Sequence, residues 1–429
     1  MRDRKKILVI GGGGREHAII WKLRQSPRLL EVYCTPGNAG IAQDAVTFTT
    51  EYGGEYSKLI QRAANLGIDY TIVGPEAPLA EGIVDAFEAA GMKIFGPCRA
   101  AAQLEASKSF AKEIMSTARI PTAESQTFEE ARPALRCARS LGAPVVIKAD
   151  GLAAGKGVVV ARTMEQAEEA IRRNLDAREF GESSRRIVVE ECLVGEEASI
   201  LAFTDGNALL PMSSAQDHKP LCDNDLGPNT GGMGAYSPAP VVTPDLMHEI
   251  RETVLLPLQS EFQRRGIVYK GVIYAGLMIT DEGPRVLEFN CRFGDPETQV
   301  ILPRLENDLI DLVEAVCEGT LHEHSLQWNE ASAVCVVMAA RGYPDKPEKG
   351  AVITGLEDVK FDDRAVVFHA GTTQRGSDVI VSGGRVLGVT ALARTLPHAI
   401  DAAYTETVKI RFDGAHYRRD IGRKALSRL

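Results

Sequence analysis

The first hundred residues alternate short apolar runs with stretches whose apolar positions recur every three to four residues. Residues 7–10 are apolar and run into Gly11–Gly14, after which 16–23 carry helical spacing. Residues 32–34 read as a strand, 56–66 as a helix stopped by Gly67, and 71–73 as a strand. Ala80, Ile83, Val84 and Phe87 fall at helical spacing before Gly91, and 93–95 close the series as a strand. Such alternation predicts a parallel sheet wound with helices, which binds ligands at the carboxyl ends of its strands. Three loops fall there: 11–15, 36–40 and 74–78.

A second pattern begins near residue 105. Strands are expected at 145–148, 158–161 and 187–191, and Thr163 with Gln166 forms a capping-box signature that opens a helix. Residues 198–203 pair with 208–210 across a turn, and 272–280 with 285–290. Between them, 213–237 is polar, glycine-rich and without periodicity, and reads as a long functional loop. Thr243-Pro244 starts the next helix. The last hundred or so residues change character, with short strands at 333–339, 351–354, 366–369, 379–381 and 386–389 and one helix over 397–410.

At 429 residues the chain exceeds what one hydrophobic core can hold, so two to four domains are expected. Hydrophobic residues at 44% and charged residues at 25% fit an ordinary globular protein. The 40 glycines and 21 prolines lie in short clusters, which excludes collagen, disorder and coiled coil. Forty-nine basic against 58 acidic residues leave a net charge of −9, which disfavours nucleic acid and anionic membranes. Small phosphate-bearing ligands stay compatible, because helix ends and local lysines bind them whatever the net charge. Residues 1–6 are polar, and no stretch resembles a signal peptide or a bilayer span. Eight cysteines without a CxxC pair predict reduced thiols, neither a disulfide framework nor a zinc site. A cytoplasmic protein is expected.

The glycines at 11–14 sit between strand and helix, yet the dinucleotide fingerprint fails. Its third glycine falls on Glu16 or His17, and no acidic residue closes the second strand, where Cys34 runs into Thr35-Pro36. The loop is therefore a phosphate cradle or a tight turn. A second glycine loop, 149–157, joins two strands and lacks P-loop spacing. Gly151, Gly155 and Gly157 make it either an exposed hairpin or a lid over polyphosphate, with Lys148 beside it. The strongest local signal is 287–292. Strand alternation puts Leu287, Phe289 and Cys291 on an apolar core face and Glu288, Asn290 and Arg292 on the other. Carboxylate and amide oxygens suit Mg²⁺, and a guanidinium suits a phosphoryl group in transfer. A half-exposed strand with a salt bridge is the plainer alternative, but Asp295 and Glu297 in the next turn favour a site. His218 has no triad partner and reads as an ordinary loop residue.

These segments together resemble a known family. GGGGREHA (11–18), PGNAG (36–40), GPEAPL (74–79), IKADGLAAGKGV (147–158) and VVEECLVGEEAS (188–199) are similar to the phosphoribosylamine–glycine ligases, which are ATP-grasp enzymes. So are QDHK (216–219), GPNTGGMGAYSP (227–238), EFNCRFGDPETQ (288–299), RGYP (341–344), FHAGT (368–372) and GGRVLGVTA (383–391). The resemblance covers the whole chain. One departure is Pro220, where an arginine is typical of the family.

The resemblance implies a mixed α/β and α+β architecture: a doubly wound parallel-sheet domain over 1–104, an ATP-grasp fold in two subdomains over 105–327, and a small β-rich domain over 328–429. The lid subdomain would span about 123–192. It implies ATP-dependent ligation of glycine to 5-phosphoribosylamine through glycyl phosphate, the second step of de novo purine biosynthesis. Lys108 and Lys148 would hold the ATP phosphates under the loop of Gly151, Gly155, Lys156 and Gly157. The segment of Glu190, Glu191 and Leu193 would hold adenine, and Glu197 the ribose. Glu288 and Asn290 match metal ligands for Mg²⁺ or Mn²⁺, and Arg292 would steady the phosphoryl group. Asp217, Lys219, Asp295 and Glu297 would surround glycine and the amine. Gly13, Gly14, Arg15, Asn38 and Glu76 would face the phosphoribosylamine, and Thr230, Gly231 and Gly232 would bind substrate. The implied partners are these small molecules, with no nucleic acid and no membrane, and the implied enzyme is a monomer.

Overall fold

The computed structural model describes residues 4–50, 55–153, 157–359 and 365–428. Lys5–Gly11 is buried from Ile7 onward and forms the centre of a parallel sheet. The sheet order is Val46–Thr47, Leu29–Pro36, Lys5–Gly11, Tyr70–Val73, Ile94–Phe95. The winding reverses on either side of the central strand, so the loops after Gly11, Pro36 and Val73 meet at one edge. Gly37 N–H donates to Gly11 O at 3.1 Å, and Gly74 N–H to Ile10 O at 3.0 Å. The helix expected around 80–87 is instead two, Glu76–Glu81 and Ile83–Ala89, because Gly82 between them adopts φ +96°.

A second, antiparallel sheet runs Ser125–Phe128, Ile187–Glu191, Val145–Ala149, Val158–Ala161. Helices Ala131–Leu141 and Met164–Leu175 cover it, and Leu135, Ala138, Ile147, Ile171 and Val189 share their own small core. Thr163 caps the second helix by accepting from Gln166 N–H at 3.3 Å, while the Gln166 side chain reaches back to Arg162 N–H. The return bond thus lands one residue earlier than a capping box places it.

The third sheet, Leu209–Pro211, Glu196–Thr204, Gly271–Thr280 and Gly283–Asn290, is antiparallel. Phe203 and Phe293 pack against Phe95 of the first sheet, with ring centroids 5.9–6.2 Å apart, and so weld the two regions through one core.

The stretch 213–237, expected as a loop without structure, is not one. Gln216–Asp217 and Gly234–Ser237 pair with each other, and the latter pairs with Ser332–Ala339. The C-terminal sheet is therefore Gln216–Asp217, Gly234–Ser237, Ser332–Ala339, Arg385–Ala393, Ala365–His369. Strands of two to four residues are too short to show period two, and the strand that anchors them, Ser332–Ala339, lies about a hundred residues away. Helix Leu396–Thr407 covers this sheet and ends three residues before the expected 410. The expected strand at 351–354 reduces to isolated bridges, Val352 with Ile380 and Thr354 with Arg411. Among the described residues no helix is long and apolar enough to cross a membrane, and the eight cysteines are free thiols.

Candidate active site

The hairpin strand Gly283–Asn290 builds one wall of a cleft of about 430 Å³. Its partner strand pairs Gly276 with Glu288 but Leu277 with Val286, so Leu287 is an extra, bulged residue. The bulge corrects the expected face. Val286, Phe289 and Cys291 are buried in the core, whereas Leu287 is half-buried on the cleft wall beside Glu288 and Asn290. Phe289 borders the cleft as well, and with Leu104, Ala111, Met115 and Leu287 it makes one side apolar. Arg292 lies beyond the strand end yet turns into the same space. It donates to Asn290 Oδ1 (3.2 Å) and pairs with Glu105 (2.9 Å) and Glu76 (3.3 Å).

Cations crowd around Glu288. Lys219 Nζ lies 3.2 Å from Glu288 Oε1 and 3.5 Å from Glu197 Oε2. Lys219 holds the Glu288 carboxyl down at about 2, and Lys148 and Lys108 add to this against burial. Lys148 is itself fixed, 2.8 Å from Leu287 O and 2.5 Å from Glu190 Oε1. The other Glu190 oxygen meets Lys112 at 2.7 Å, so one carboxylate buried to 2% exposure bridges two lysines. Lys108 opens helix Lys108–Ala118 behind the Ser107 cap and donates to Gly151 O at 3.2 Å. Burial pushes its pKa down. Asp150 ties the glycine hairpin to this helix, accepting from Ser109 N–H at 2.7 Å. Gly155 and Lys156 lie outside the described residues.

Three further carboxylates, Asp217, Asp295 and Glu297, line the same cleft. Glu297 Oε1 accepts from Tyr274 Oη (2.7 Å) and Ser199 Oγ (3.0 Å). Burial, and then the nearby Glu297, raise the Asp217 carboxyl well above its ordinary range, and Asp217 Oδ1 is buried without a hydrogen-bond partner. Burial also works to raise Asp295, but Arg385 and Arg15 outweigh it and leave its carboxyl below the usual range. Thr230 Oγ1 donates to Lys219 O at 2.7 Å and accepts from Gly232 N–H at 3.0 Å, which locks the glycine turn.

The loop at 11–14 shows why the dinucleotide fingerprint fails. Glu16, at the third-glycine position, is buried and accepts from Gly13 N–H (2.5 Å) and Arg15 Nε (2.6 Å). A Cβ on Gly11 would lie 2.6 Å from Glu16 Cδ, and one on Gly74 would overlap Glu16 Oε1. The helix start at Gly13 thus already holds the protein's own carboxylate. Arg15 Nη2 lies 3.3 Å from Glu76, whose carboxyl sits at about 2 because Arg292 and Arg15 outweigh its burial.

Of the residues singled out from sequence, Arg15, Glu76, Lys108, Lys148, Gly157, Asp217, Lys219, Thr230, Gly231, Glu288, Asn290, Arg292, Asp295 and Glu297 line this one cleft. Gly13, Gly14, Gly151, Glu190, Glu191, Leu193, Glu197 and Gly232 are not among its lining residues. Nor is Asn38, whose amide is engaged within the protein: Nδ2 donates to Gly12 O and His369 O, and Oδ1 accepts from Gly40 and Ile41 N–H. Glu105, Lys112, Tyr274, Tyr343 and Arg385 line the cleft and were missed. Lys112, one helical turn after Lys108, was the most accessible to periodicity; Tyr343 and Arg385 stand in the RGYP and GGRVLGVTA segments, but nothing in those segments points to the cleft.

Residues 5–105 match the family model for the phosphoribosylglycinamide synthetase N domain, 106–298 the ATP-grasp (A) domain, and 333–424 the C domain. The chain belongs to the phosphoribosylglycinamide synthetase family. It is 51% identical over 428 residues to phosphoribosylamine–glycine ligase of Escherichia coli (strain K12), covering 99% of each chain. The crystal structure of phosphoribosylamine–glycine ligase from Thermotoga maritima superposes with a TM-score of 0.81 at 32% identity, covering 97% of this chain and 99% of that one. A biotin carboxylase domain from Hydrogenobacter thermophilus, crystallised with MgADP, ADP and bicarbonate, shares the fold at a TM-score of 0.74 and 15% identity, covering 97% and 92%.

In this synthetase the Glu288 carboxylate and Asn290 amide supply hard oxygen donors, and the strongly ionised Glu288 brings the charge. Among the described residues no group of three or more His, Cys, Asp or Glu could enclose a metal. The donor set fits a divalent cation that keeps water and phosphate oxygens in its shell.

Proposed function

We propose that this chain ligates glycine to 5-phosphoribosylamine, forming glycinamide ribonucleotide while ATP becomes ADP and phosphate. The observation that carries the reading is one cleft lined by Lys108, Lys148 and Lys219 about Glu288 and also by Asp217, Asp295 and Glu297. A polyphosphate needs the lysines, and an amine or ammonium needs the carboxylates. The 51% identity to a ligase of that name gives the substrates.

A glycine carboxylate oxygen attacks the γ-phosphorus and the bond to ADP breaks, leaving glycyl phosphate. The amine of phosphoribosylamine then adds to the acyl carbon, phosphate leaves, and the amine gives up a proton. Lys108 and Lys148 neutralise the phosphate oxygens, with Gly151, Gly155, Lys156 and Gly157 closing over them. The apolar wall receives adenine, the Glu190, Glu191 and Leu193 segment holds its edge through backbone groups, and Glu197 takes the ribose hydroxyls. Arg292 faces the phosphoryl group in transfer. A cation, Mg²⁺ or Mn²⁺, held by Glu288 and Asn290 would polarise phosphoryl oxygens. Asp217 suits the proton step, because its unpartnered Oδ1 has raised proton affinity. Lys219, Asp295 and Glu297 orient glycine and the amine. Gly13, Gly14, Arg15, Asn38, Glu76, Thr230, Gly231 and Gly232 shape the phosphoribosylamine end, with Asn38 acting through the loop it braces.

No protein nucleophile takes part, since ATP supplies the activation. The reading includes domains at 1–104, 105–327 and 328–429 and a cytoplasmic monomer. Phosphate release with glycine and freshly made phosphoribosylamine, each omitted in turn, tests the reaction. Release that requires bicarbonate and ignores glycine overturns it.

A further inference from the structure

Two motifs of the C-terminal region, RGYP (341–344) and GGRVLG (383–388), have no part in the reaction above, yet Tyr343 and Arg385 reach the cleft. Both grip the same residue. Gly231 N–H donates to Tyr343 Oη at 3.0 Å, and Arg385 Nη1 donates to Gly231 O at 2.5 Å. The two peptide groups flanking one exposed glycine are thus held by side chains 112 and 154 residues further along the chain.

Arg385 reaches further. Its Nη1 donates to Asp295 O at 2.7 Å, and Nη2 lies 3.3 Å from Asp295 Oδ2. One guanidinium therefore ties the Thr230–Gly232 turn to the Asp295–Glu297 turn across the carboxylate end of the cleft. The glycines around it make room for this grip. A Cβ on Gly231 would stand 3.1 Å from Arg385 Cζ, and one on Gly384 would strike the Tyr343 ring. The strand that follows the turn, Gly234–Ser237, is already laddered onto Ser332–Ala339 of the same sheet. Backbone pairing fixes one end of the segment, and the two side chains fix its tip.

We propose that Tyr343 and Arg385 are positioning residues through which the C-terminal sheet sets the acceptor end of the site. They hold the Gly231 turn and the Asp295 turn in register without taking part in the chemistry. The inference rests on the ligase reading for its substrate arm only.

Two measurements on the full chain test it. In hydrogen exchange, Tyr343→Phe and Arg385→Met should each speed exchange of amides in the 226–236 segment and leave the central strand Lys5–Gly11 unchanged. In steady-state kinetics, KM for glycine and phosphoribosylamine should rise about fivefold in Tyr343→Phe and about 10- to 100-fold in Arg385→Met, with KM for ATP unaltered. Arg385→Lys should recover only part of the loss, because an ammonium cannot serve two acceptor groups in the fork geometry. The double variant should lose less than the product of the single effects, since both act through Gly231. Unchanged exchange at 226–236, an equal rise in KM for ATP, or strictly multiplicative effects would each overturn the proposal. A wild-type chain that forms no glycinamide ribonucleotide sinks the ligase reading instead, and the exchange measurement still decides the positioning claim.

Discussion

Replacing Glu288 with Gln removes one negative charge from among three lysines while keeping nearly the same side-chain volume. Lys219 Nζ stands 3.2 Å away, and the carboxyl titrates at about 2 in place of the ordinary 4.5. That preference for the ionised form corresponds to roughly 3 kcal/mol before solvent is considered. The side chain is 33% exposed, so screening reduces the figure to about 1–2 kcal/mol. A depressed carboxyl pKa stabilises the fold above pH 4.5, and the contribution is lost as pH falls towards 2. At neutral pH, Glu288→Gln should therefore lower Tm by only a few degrees, roughly 2–4 °C per kcal/mol or less in a chain this long. The chemistry should suffer far more. If Glu288 holds the cation, losing it removes several kcal/mol of charge stabilisation, or about 10²- to 10⁴-fold in kcat. Phosphate release and ligation followed across a Mg²⁺ titration, beside thermal melts, separate the two effects. Leu277→Ala is the control: Leu277 is fully buried opposite Val286 and does not line the cleft. It should cost about 2–5 kcal/mol of stability while the folded fraction keeps its turnover. Ligation by Glu288→Gln at near wild-type rate throughout the titration would refute the metal assignment and leave this strand a structural element.

Gly74→Ala drives a methyl group into Glu16 Oε1 and so disturbs the carboxylate that holds Gly13 N–H and Arg15. It should cost about 1–3 kcal/mol of stability and raise KM for phosphoribosylamine, and an unchanged KM counts against the loop's role. Lys148→Met keeps the aliphatic stem but removes the ammonium between Leu287 O and Glu190. KM for ATP should rise about 10- to 100-fold with KM for glycine unchanged; equal effects on both would contradict a nucleotide role. His17 and His369 are kept neutral by burial, at about 4 and about 3. Unfolded histidines protonate near 6.5, so stability should fall as pH drops from 6.5 towards 4, by about 2 kcal/mol for each residue at pH 5. Urea unfolding at pH 7 and pH 5 measures this, and His369→Gln should flatten the slope; an unaltered slope removes His369 from the account.

The sequence by itself determined whatever depends on neighbours a few residues apart. Residues 7–10 were legible as a parallel strand because they are buried on both faces and read as an unbroken apolar run, and 71–73 because Thr71, Ile72 and Val73 are all β-branched. Thr163 and Thr243 were legible as helix starts because a cap acts within three residues. Glu288 and Asn290 were legible as cleft residues because period two is local. Only the tertiary structure decided what depends on pairing partners far along the chain. The bulge at Leu287 exists because the partner strand fixes the register, and no signal in 287–292 announces it. Gly234–Ser237 is a strand because Ser332–Ala339, more than 90 residues away, satisfies its backbone groups, and Gln216–Asp217 is one because it then pairs with Gly234–Ser237. Glu190 looked like the end of a strand, and its carboxylate became a bridge between Lys112 and Lys148 only once a helix packed against that sheet. Tyr343 and Arg385 acquired their place the same way. A motif of Gly, Arg and Tyr says nothing of its target until the chain returns to put Gly231 within 3.0 Å of the tyrosine hydroxyl.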